Sequence, residues 1–198
     1  TLLHALQSNT MNAIGFKARV TAAIGIADAV AYIHEQGFSH LDIKSGNVFL
    51  STALSGTTMP QLKLGDFGSC TPIGSTMTRC GGTLRYMAPE VMTSKSYCTH
   101  ADIYSLGMFV WELLTGRLPF LEFPAPSDRR LIPHVVGGGR PDLSMFANDP
   151  RFAPVANVVA TAWSGVQEER PPAAVLMRDL QVSIRSVPEH IGVHATGQ

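Results

Sequence analysis

The sequence predicts a mainly α-helical domain (α+β overall) that carries one small β-hairpin. Apolar residues recur at alternating steps of four and three over 16–33, the stripe of an amphipathic helix, and Gly37 then ends it. Two short strand candidates, 48–50 and 62–64, are separated by a loop rich in Ser, Thr, Gly and Pro, which is typical of a hairpin. The stretch 102–114 is apolar on nearly all sides, as expected of a helix buried at the centre of a domain.

The rest of the chain divides into a long loop and further helices. Residues 66–90 contain many Gly, Ser and Thr residues and no sustained apolar period, which predicts a long exposed loop, a kind that is usually functional. Helices are expected just before the glycines 137–139, near 156–163, and from 172 to about 186. We find no repeat and no second domain, so 1–198 is interpreted as one domain.

Composition and charge exclude several classes of protein. Fifteen Lys and Arg balance fifteen Asp and Glu, so no global field would draw the chain to nucleic acid or to an anionic membrane. The three cysteines show no C-x-x-C spacing, which argues against a zinc site and a disulfide framework. Their use favours an intracellular, cytoplasmic location, and a membrane-anchored parent protein stays open as an alternative. The longest apolar stretch, 20–33, is interrupted by Asp28 and is shorter than the ~20 residues of a membrane helix, so no membrane segment is predicted.

One short loop, 40–47, contains the residue types that phosphoryl transfer requires. That reaction needs a carboxylate near the attacking hydroxyl, a cation near the transferred phosphate and oxygen ligands for Mg²⁺. Asp42 and Lys44 are two residues apart, so in an extended loop they face the same side, and Asn47 offers a carbonyl oxygen to the metal. Asp66 follows the second strand candidate and is expected to share a Mg²⁺ ion with Asn47. We therefore interpret the two segments as one site.

Several motifs follow one another in an order and spacing that point to a family. They are H-x-D-x-K-x-x-N at 40–47, Asp-Phe-Gly at 66–68, G-T-x-x-Y-M-A-P-E at 82–90, D-I-Y-S-L-G at 102–107 and Arg-Pro at 170–171. A single short motif of this kind is often accidental, but the ordered series resembles the eukaryotic protein kinases. The resemblance covers almost the whole chain.

The resemblance implies a part of a kinase domain and its chemistry. The chain would be the large, C-terminal lobe, with its catalytic loop at 40–47, its activation segment at 66–90 and its central helix at about 102–114. ATP and Mg²⁺ would be the cofactors, and a serine or threonine of a protein would be the substrate.

The resemblance also implies a role for each residue of the site. Asp42 would orient the hydroxyl and accept its proton, while Lys44 steadies the γ-phosphate. Asn47 and Asp66 would hold the metal ion, and Phe49 would lie beneath the adenine.

Other residues receive structural or regulatory roles from the resemblance. His40 and Phe67 would pack in a hydrophobic spine, with Gly68 completing the Asp-Phe-Gly motif. The counterpart of Thr83 in the family bonds the catalytic aspartate and lysine when the site is assembled. Thr83 is therefore expected close to Asp42 and Lys44, and no chemistry is assigned to His40 or Phe67.

Three more residues are expected to hold the lobe together. In the family, the aspartate at Asp102 bonds the backbone of the catalytic loop, and the arginine at Arg170 pairs with the glutamate at Glu90 in a buried ion pair. Lys44 and the long 51–61 loop resemble the tyrosine-kinase-like branch, which mostly modifies serine and threonine. We therefore expect a serine/threonine kinase.

Two departures from the family pattern affect what the chain can do. Leu41 stands where the family has an arginine whose fork grips an activation-loop phosphate, and leucine cannot form that fork. The sequence also has no G-x-G-x-x-G, and none of its lysines, Lys17, Lys44, Lys63 and Lys95, is placed like the small-lobe lysine that grips the α- and β-phosphates. Residues 1–7 resemble the first helix after the family's hinge, so we expect the parent protein to supply the missing small lobe.

Two functions remain open at this point. In the first, the parent protein transfers the γ-phosphate of ATP to a protein, and the isolated 198-residue chain has little or no activity. In the second, the chain is a catalytically silent docking or scaffold module, akin to a pseudokinase or a truncated fragment. Binding of Mg·ATP discriminates between them.

Overall fold

The structure, a computed structural model, describes residues 1–8, 10–75, 83–93, 99–123 and 129–187. The helices in these ranges are α1 (Leu2–Gln7), α2 (Phe16–Glu35), α3 (Pro89–Thr93), α4 (Thr99–Thr115), α5 (Leu131–Val136), α6 (Ser144–Ala147), α7 (Ala153–Ala162) and α8 (Ala173–Ser183). The strands are β1 (Phe38–Ser39), β2 (Val48–Leu50), β3 (Leu62–Leu64) and β4 (Thr71–Pro72). Gly82, the first residue of the motif at 82–90, lies outside the described residues, as do Cys80, Lys95 and Cys98.

The predicted fold class, mainly helical with a small hairpin, is confirmed. Strands β2 and β3 pair antiparallel, with Val48 opposite Leu64. A second pairing was not predicted, because β1 and β4 are only two residues long and pair in antiparallel fashion across a long sequence separation. The expectation that 66–90 is exposed throughout is wrong at its end, where Tyr86 and Ala88 are buried. Their burial results from packing against α4, which no local pattern reveals.

Helix α4 forms the centre of the domain. Every residue from 101 to 115 is buried, which agrees with the predicted helix at 102–114. Helices α2 and α7 pack against it, and α8 packs against α2 and α7. Gly107 permits the contact with α7, since a Cβ atom there would lie 2.9 Å from Cβ of Ala162. The central position of α4 allows one helix to support both 40–47 and 83–90.

The helices predicted in the C-terminal part are present with shifted ends. Helix α5 ends directly before the glycines at 137–139, and α8 is followed by a 3₁₀ turn, Ile184–Ser186, close to the predicted end at 186. Helix α7 begins earlier than the predicted 156–163 because Pro154 lies in its first turn. A proline there loses no helical hydrogen bond, since the first amide groups of a helix have no partner within it.

Buried Arg19 joins the start of α2 to the end of α4. Its guanidinium donates to the carbonyl oxygens of Met11, Ile14, Leu113 and Leu114, at 2.6 to 3.4 Å. Burial lowers the pKa of this group to about 10. The last carbonyl groups of a helix carry partial negative charge and lack partners in the helix, so the arginine satisfies them where no water can.

Within the described residues, no helix combines the length and the apolar character needed to cross a bilayer. Helix α2, at twenty residues, is long enough but includes charged residues along its length.

Candidate active site

The Asp42 carboxylate is the centre of a hydrogen-bonded cluster. Its Oδ2 atom accepts from Lys44 Nζ at 2.6 Å and from Asn47 Nδ2 at 2.8 Å. Thr83 Oγ1 lies 2.9 Å from Lys44 Nζ and 3.5 Å from Asp42 Oδ1. The structure therefore brings together four of the residues that the sequence singled out, from two segments about forty positions apart.

Asn47 is held so that one of its atoms remains for a metal. Its side-chain amide nitrogen donates to Asp42 twice, at 2.9 Å to the backbone oxygen and at 2.8 Å to the carboxylate. The amide carbonyl oxygen is then the donor left for a cation, and an amide oxygen suits Mg²⁺.

Asp66 lies beside this cluster at the end of the hairpin. The amide of Gly65 donates to the backbone oxygen of Asn47 at 2.9 Å, which brings the start of Asp-Phe-Gly next to Asn47. A Cβ atom at position 65 would lie 2.9 Å from the Phe49 ring, so glycine permits this approach. Asp66 adopts a left-handed backbone with φ of 60°, and its side chain is exposed. Its carboxylate makes no hydrogen bond with the Asp42 cluster in the described part of the chain.

The oxygen donors of Asn47 and Asp66 fit a magnesium ion in chemical type. Both are hard oxygen ligands, and Mg²⁺ typically takes only one or two protein ligands and fills its other positions with water and phosphate. No cluster of three or more His, Cys, Asp or Glu side chains occurs within the described ranges, so a metal that needs an all-protein cage is not indicated there.

The backbone of the 40–47 loop is anchored on α4 through Asp102. This buried carboxylate accepts the amide hydrogens of His40 and Leu41, both at 2.7 Å, and lies 2.9 Å from His34 Nε2. Leu41 has a left-handed φ of 65°, which is costly for a side chain other than glycine. The two bonds to Asp102 hold this strained turn, and the turn directs Asp42 toward the cluster.

His40 connects the loop to the hairpin as well as packing against Phe67. The two rings are 5.5 Å apart, while His40 Nδ1 accepts from the Asp42 amide at 3.3 Å and Nε2 lies 3.1 Å from the Gly65 oxygen. One tautomer, with its hydrogen on Nε2, satisfies both contacts. Phe49 and Phe67 are 45% and 57% exposed, so both present apolar surface on the face that bears the cluster. Gly68 follows Phe67 in a 3₁₀ turn.

Comparison with known proteins identifies the family. A family model described as the protein kinase domain matches residues 2–132, about two thirds of the chain. The chain belongs to the protein kinase family. The predicted resemblance is thus confirmed, and the matched range includes the Asp42 cluster and α4.

Individual kinases match over a longer stretch. Mitogen-activated protein kinase kinase kinase 7 of Homo sapiens is 32% identical over 165 residues, which is 82% of this chain and 26% of that protein. Serine/threonine-protein kinase STY46 of Arabidopsis thaliana is 31% identical over 84% of the chain and 27% of its own length. Probable serine/threonine-protein kinase gdt4 of Dictyostelium discoideum is 29% identical over 86% of the chain. The chain spans 10% to 27% of the length of these relatives.

Glu90 and Arg170 form an ion pair. The contact is bidentate, at 2.7 and 2.9 Å, and the arginine side chain is fully buried while that of Glu90 is 21% exposed. Arg170 also donates to the oxygens of Ser164 and His100 and lies over the ring of Tyr104. Arg170 therefore holds the start of α3 against the start of α4.

Sequence reasoning missed Glu112, a buried carboxylate on α4. Its two oxygens accept the hydroxyl groups of Ser45 at 2.8 Å and Tyr86 at 2.7 Å. Burial raises the pKa of Glu112 to about 7, and the two hydroxyl donors partly oppose that rise. A signal was available: Glu112 is a charged residue in a stretch that is otherwise almost entirely apolar, and such a residue needs partners.

Arg85 was missed as well. It is buried, and it donates to the carbonyl oxygens of Pro119, Phe120 and Phe123 in the turn that follows α4. Phe120 adopts a left-handed φ of 55°. Because these partners are backbone atoms more than thirty residues away, no spacing in the sequence indicates the contact.

The raised pKa of Glu112 predicts a specific dependence of stability on pH. The folded value of about 7 exceeds the ordinary 4.5, so the contribution of Glu112 is fully present below pH 4.5 and is lost as the pH rises through 7. Relative to Glu112→Gln, the wild-type chain should lose about 3 kcal/mol of unfolding free energy between pH 4.5 and 8. Urea unfolding at several pH values measures this difference, and parallel curves for the two proteins would contradict it.

Proposed function

We propose that the protein containing this chain is a serine/threonine kinase that transfers the γ-phosphate of ATP to a protein hydroxyl group. The observation that carries the proposal is the cluster in which Lys44, Asn47 and Thr83 surround the carboxylate of Asp42. Membership of the kinase family and the similarity to proteins named serine/threonine-protein kinases support it.

In the proposed reaction, each residue of the cluster has one task. The substrate hydroxyl oxygen forms a bond to the γ-phosphorus, the bond from that phosphorus to the β–γ bridging oxygen breaks, and ADP leaves. Asp42 orients the hydroxyl and accepts its proton, while Lys44, 2.6 Å from Asp42, places its positive charge beside the transferred phosphoryl group. Thr83 and Asn47 fix the orientation of the carboxylate. Asn47 and Asp66 would hold Mg²⁺, which supplies charge neutralisation at the phosphates.

The parent protein would complete the ATP site with a small lobe. The support is that Phe49 and Phe67 present apolar side chains on the face of the Asp42 cluster, where an adenine ring and a covering lobe would shield them. In the proposal Phe49 lies under the adenine, and Phe67 contacts the covering lobe.

A docking or scaffold module is the second candidate function. The sequence has no G-x-G-x-x-G and no small-lobe lysine, so the phosphates of ATP would lack part of their contacts in this chain alone. Calorimetric titration with Mg·ATP separates the two functions. The enzyme hypothesis requires measurable Mg·ATP affinity in the parent protein, and the scaffold hypothesis requires its absence.

The isolated 198-residue chain should show no measurable phosphorylation of a general protein substrate. The reason is that phosphoryl transfer depends mostly on positioning the nucleotide, and the small-lobe contacts to its phosphates are absent from this sequence. Incorporation of labelled phosphate from ATP measures it, with the parent protein as the positive control. Measurable transfer by the pure chain would contradict the expectation.

Turnover by the parent protein should not require a phosphate clamped at position 41. Leu41 has no hydrogen-bond donor in its side chain, so it cannot grip a phosphate on Ser69, Thr71 or Ser75. Treatment with a phosphatase should therefore leave the rate of substrate phosphorylation within about threefold of its starting value. Loss of a hydrogen bond to a charged group would lower the rate by more than this. Complete loss of turnover, restored by phosphorylation of the 66–90 segment alone, would refute this.

A further inference from the structure

Three separate elements meet at the carboxylate of Glu112. Oε1 accepts the Ser45 hydroxyl at 2.8 Å, and Oε2 accepts the Tyr86 hydroxyl at 2.7 Å. The two hydroxyl oxygens are 3.4 Å from each other, and all three residues are buried. The 40–47 loop, the end of the 66–90 segment and α4 are thus joined by one group.

The two residues bound to Glu112 are close in sequence to the residues that surround Asp42. Ser45 directly follows Lys44, which bonds Asp42 at 2.6 Å. Tyr86 lies at the end of the 3₁₀ turn that Thr83 begins, and Thr83 bonds Lys44 at 2.9 Å. Glu112 therefore supports both halves of the cluster from the helix beneath it, without touching the reacting atoms itself.

An ionised carboxylate accepts both hydroxyl groups with its two oxygens. Protonation adds an O–H donor at one of these oxygens, and where that hydrogen is directed at the hydroxyl group already bound there, the hydroxyl group must accept instead of donating. Burying an ionised carboxylate is costly, and the raised pKa of Glu112 reflects this cost. Stability alone would favour an apolar residue here, so the arrangement suggests a role in geometry.

We infer that Glu112 is a positioning residue that sets the relative placement of Asp42 and Thr83 through Ser45 and Tyr86. This inference rests on the proposed function of the Asp42 cluster. It adds a requirement to that function: the cluster is correctly assembled only while Glu112 accepts both hydroxyl groups. The charged or titratable neighbours are Tyr86, whose pKa burial raises well above its ordinary value, and Arg85, whose guanidinium is engaged by the 119–123 carbonyls.

A first test needs only the folded chain and no activity. Tyr86→Phe and Ser45→Ala should each lower the folding equilibrium constant about tenfold or more at pH 8, because each leaves one oxygen of a buried carboxylate without its donor. Tyr104→Phe is the matched control, since Tyr104 is on the same helix as Glu112 and its buried hydroxyl has no hydrogen-bond partner in the described residues. That variant should be near neutral. Equal effects of Tyr86→Phe and Tyr104→Phe would overturn the inference.

A second test uses the parent protein and separates positioning from support of the fold. Glu112→Gln should lower kcat at least about tenfold and leave the KM for ATP unchanged. The reason is that the substitution replaces a hydrogen bond to a charged group, whose loss corresponds to a factor of about that size. Wild-type kcat should fall as the pH drops from 8 to 6. The variant should not show this decrease, because glutamine does not titrate. Wild-type kcat in a folded Glu112→Gln protein would overturn the inference.

The two tests keep the inference apart from the proposed function. If the parent protein proves inactive, the proposed function fails. Amide hydrogen exchange in the isolated chain then decides whether Glu112 positions the two segments. Faster exchange at 42–47 and 83–87 in Tyr86→Phe than in Tyr104→Phe would support a positioning role. Unchanged exchange at both segments would exclude it. Tyr86→Phe serves here because it is milder than a change at Glu112.

Discussion

Asp42→Asn should lower kcat of the parent kinase by about 10²- to 10⁴-fold, the usual contribution of a general base. Asparagine keeps the size of the side chain but can neither accept the substrate proton nor carry the charge that orients Lys44, 2.6 Å away. Because Asp42 is not proposed to hold the nucleotide, the affinity for Mg·ATP should be almost unchanged. Steady-state phosphorylation of a serine- or threonine-containing substrate and calorimetric titration with Mg·ATP measure the two quantities.

Asp179→Asn provides the control for this substitution. Asp179 is an exposed residue on α8, so the same chemical change should leave kcat unaffected. Thermal unfolding of both variants checks that each is folded. Retention of more than about a tenth of wild-type kcat by folded Asp42→Asn protein would show that Asp42 is not the base, whatever the similarity of the chain to kinases.

Glu90→Gln should reduce the free energy of unfolding by about 3 kcal/mol. The Arg170 side chain is fully buried, so loss of the partner carboxylate leaves the guanidinium charge without compensation. Glutamine can still accept one hydrogen bond from Arg170. The loss of unfolding free energy should therefore be at the lower end of the range observed when a buried ion pair is broken. Equilibrium unfolding of the isolated chain in urea measures the change.

The matched control is the pair of Asp149 and Arg151, in which Arg151 Nε donates to Asp149 Oδ1 at 2.9 Å and both side chains are in contact with solvent. Asp149→Asn makes the corresponding change in a pair that water already solvates, so the urea midpoint should not move. A midpoint for Glu90→Gln equal to that of Asp149→Asn would mean that the contact with Arg170 contributes nothing to stability. The remaining contacts of Arg170, with two carbonyl oxygens and the Tyr104 ring, would then account for its burial.

The local patterns of the chain were sufficient for its longer helices and its hairpin, but they did not predict the short helices α3 and α6. A helical stripe over 16–33 and an apolar stretch over 102–114 predict α2 and α4 because burial on one side or on all sides requires those periodicities. Motif spacing also indicated Asp42, Lys44, Asn47 and Asp66, since their residue types match one kind of chemistry. Periodicity could not predict the pairing of β1 with β4, because two residues are too few for a pattern.

The sequence by itself determined the family, the helical fold class and the residues that carry the proposed chemistry, because these depend on residue type and spacing. Beyond Asp102 and Thr83, which the family resemblance already indicated, only the tertiary structure decided which groups support the site and the elements around it. Glu112, Arg85 and Arg19 bind hydroxyl or backbone groups that lie far along the chain. A buried polar group requires a hydrogen-bond partner. Many hydroxyl and carbonyl oxygens could accept the bond, so the fold determines which of them is the partner.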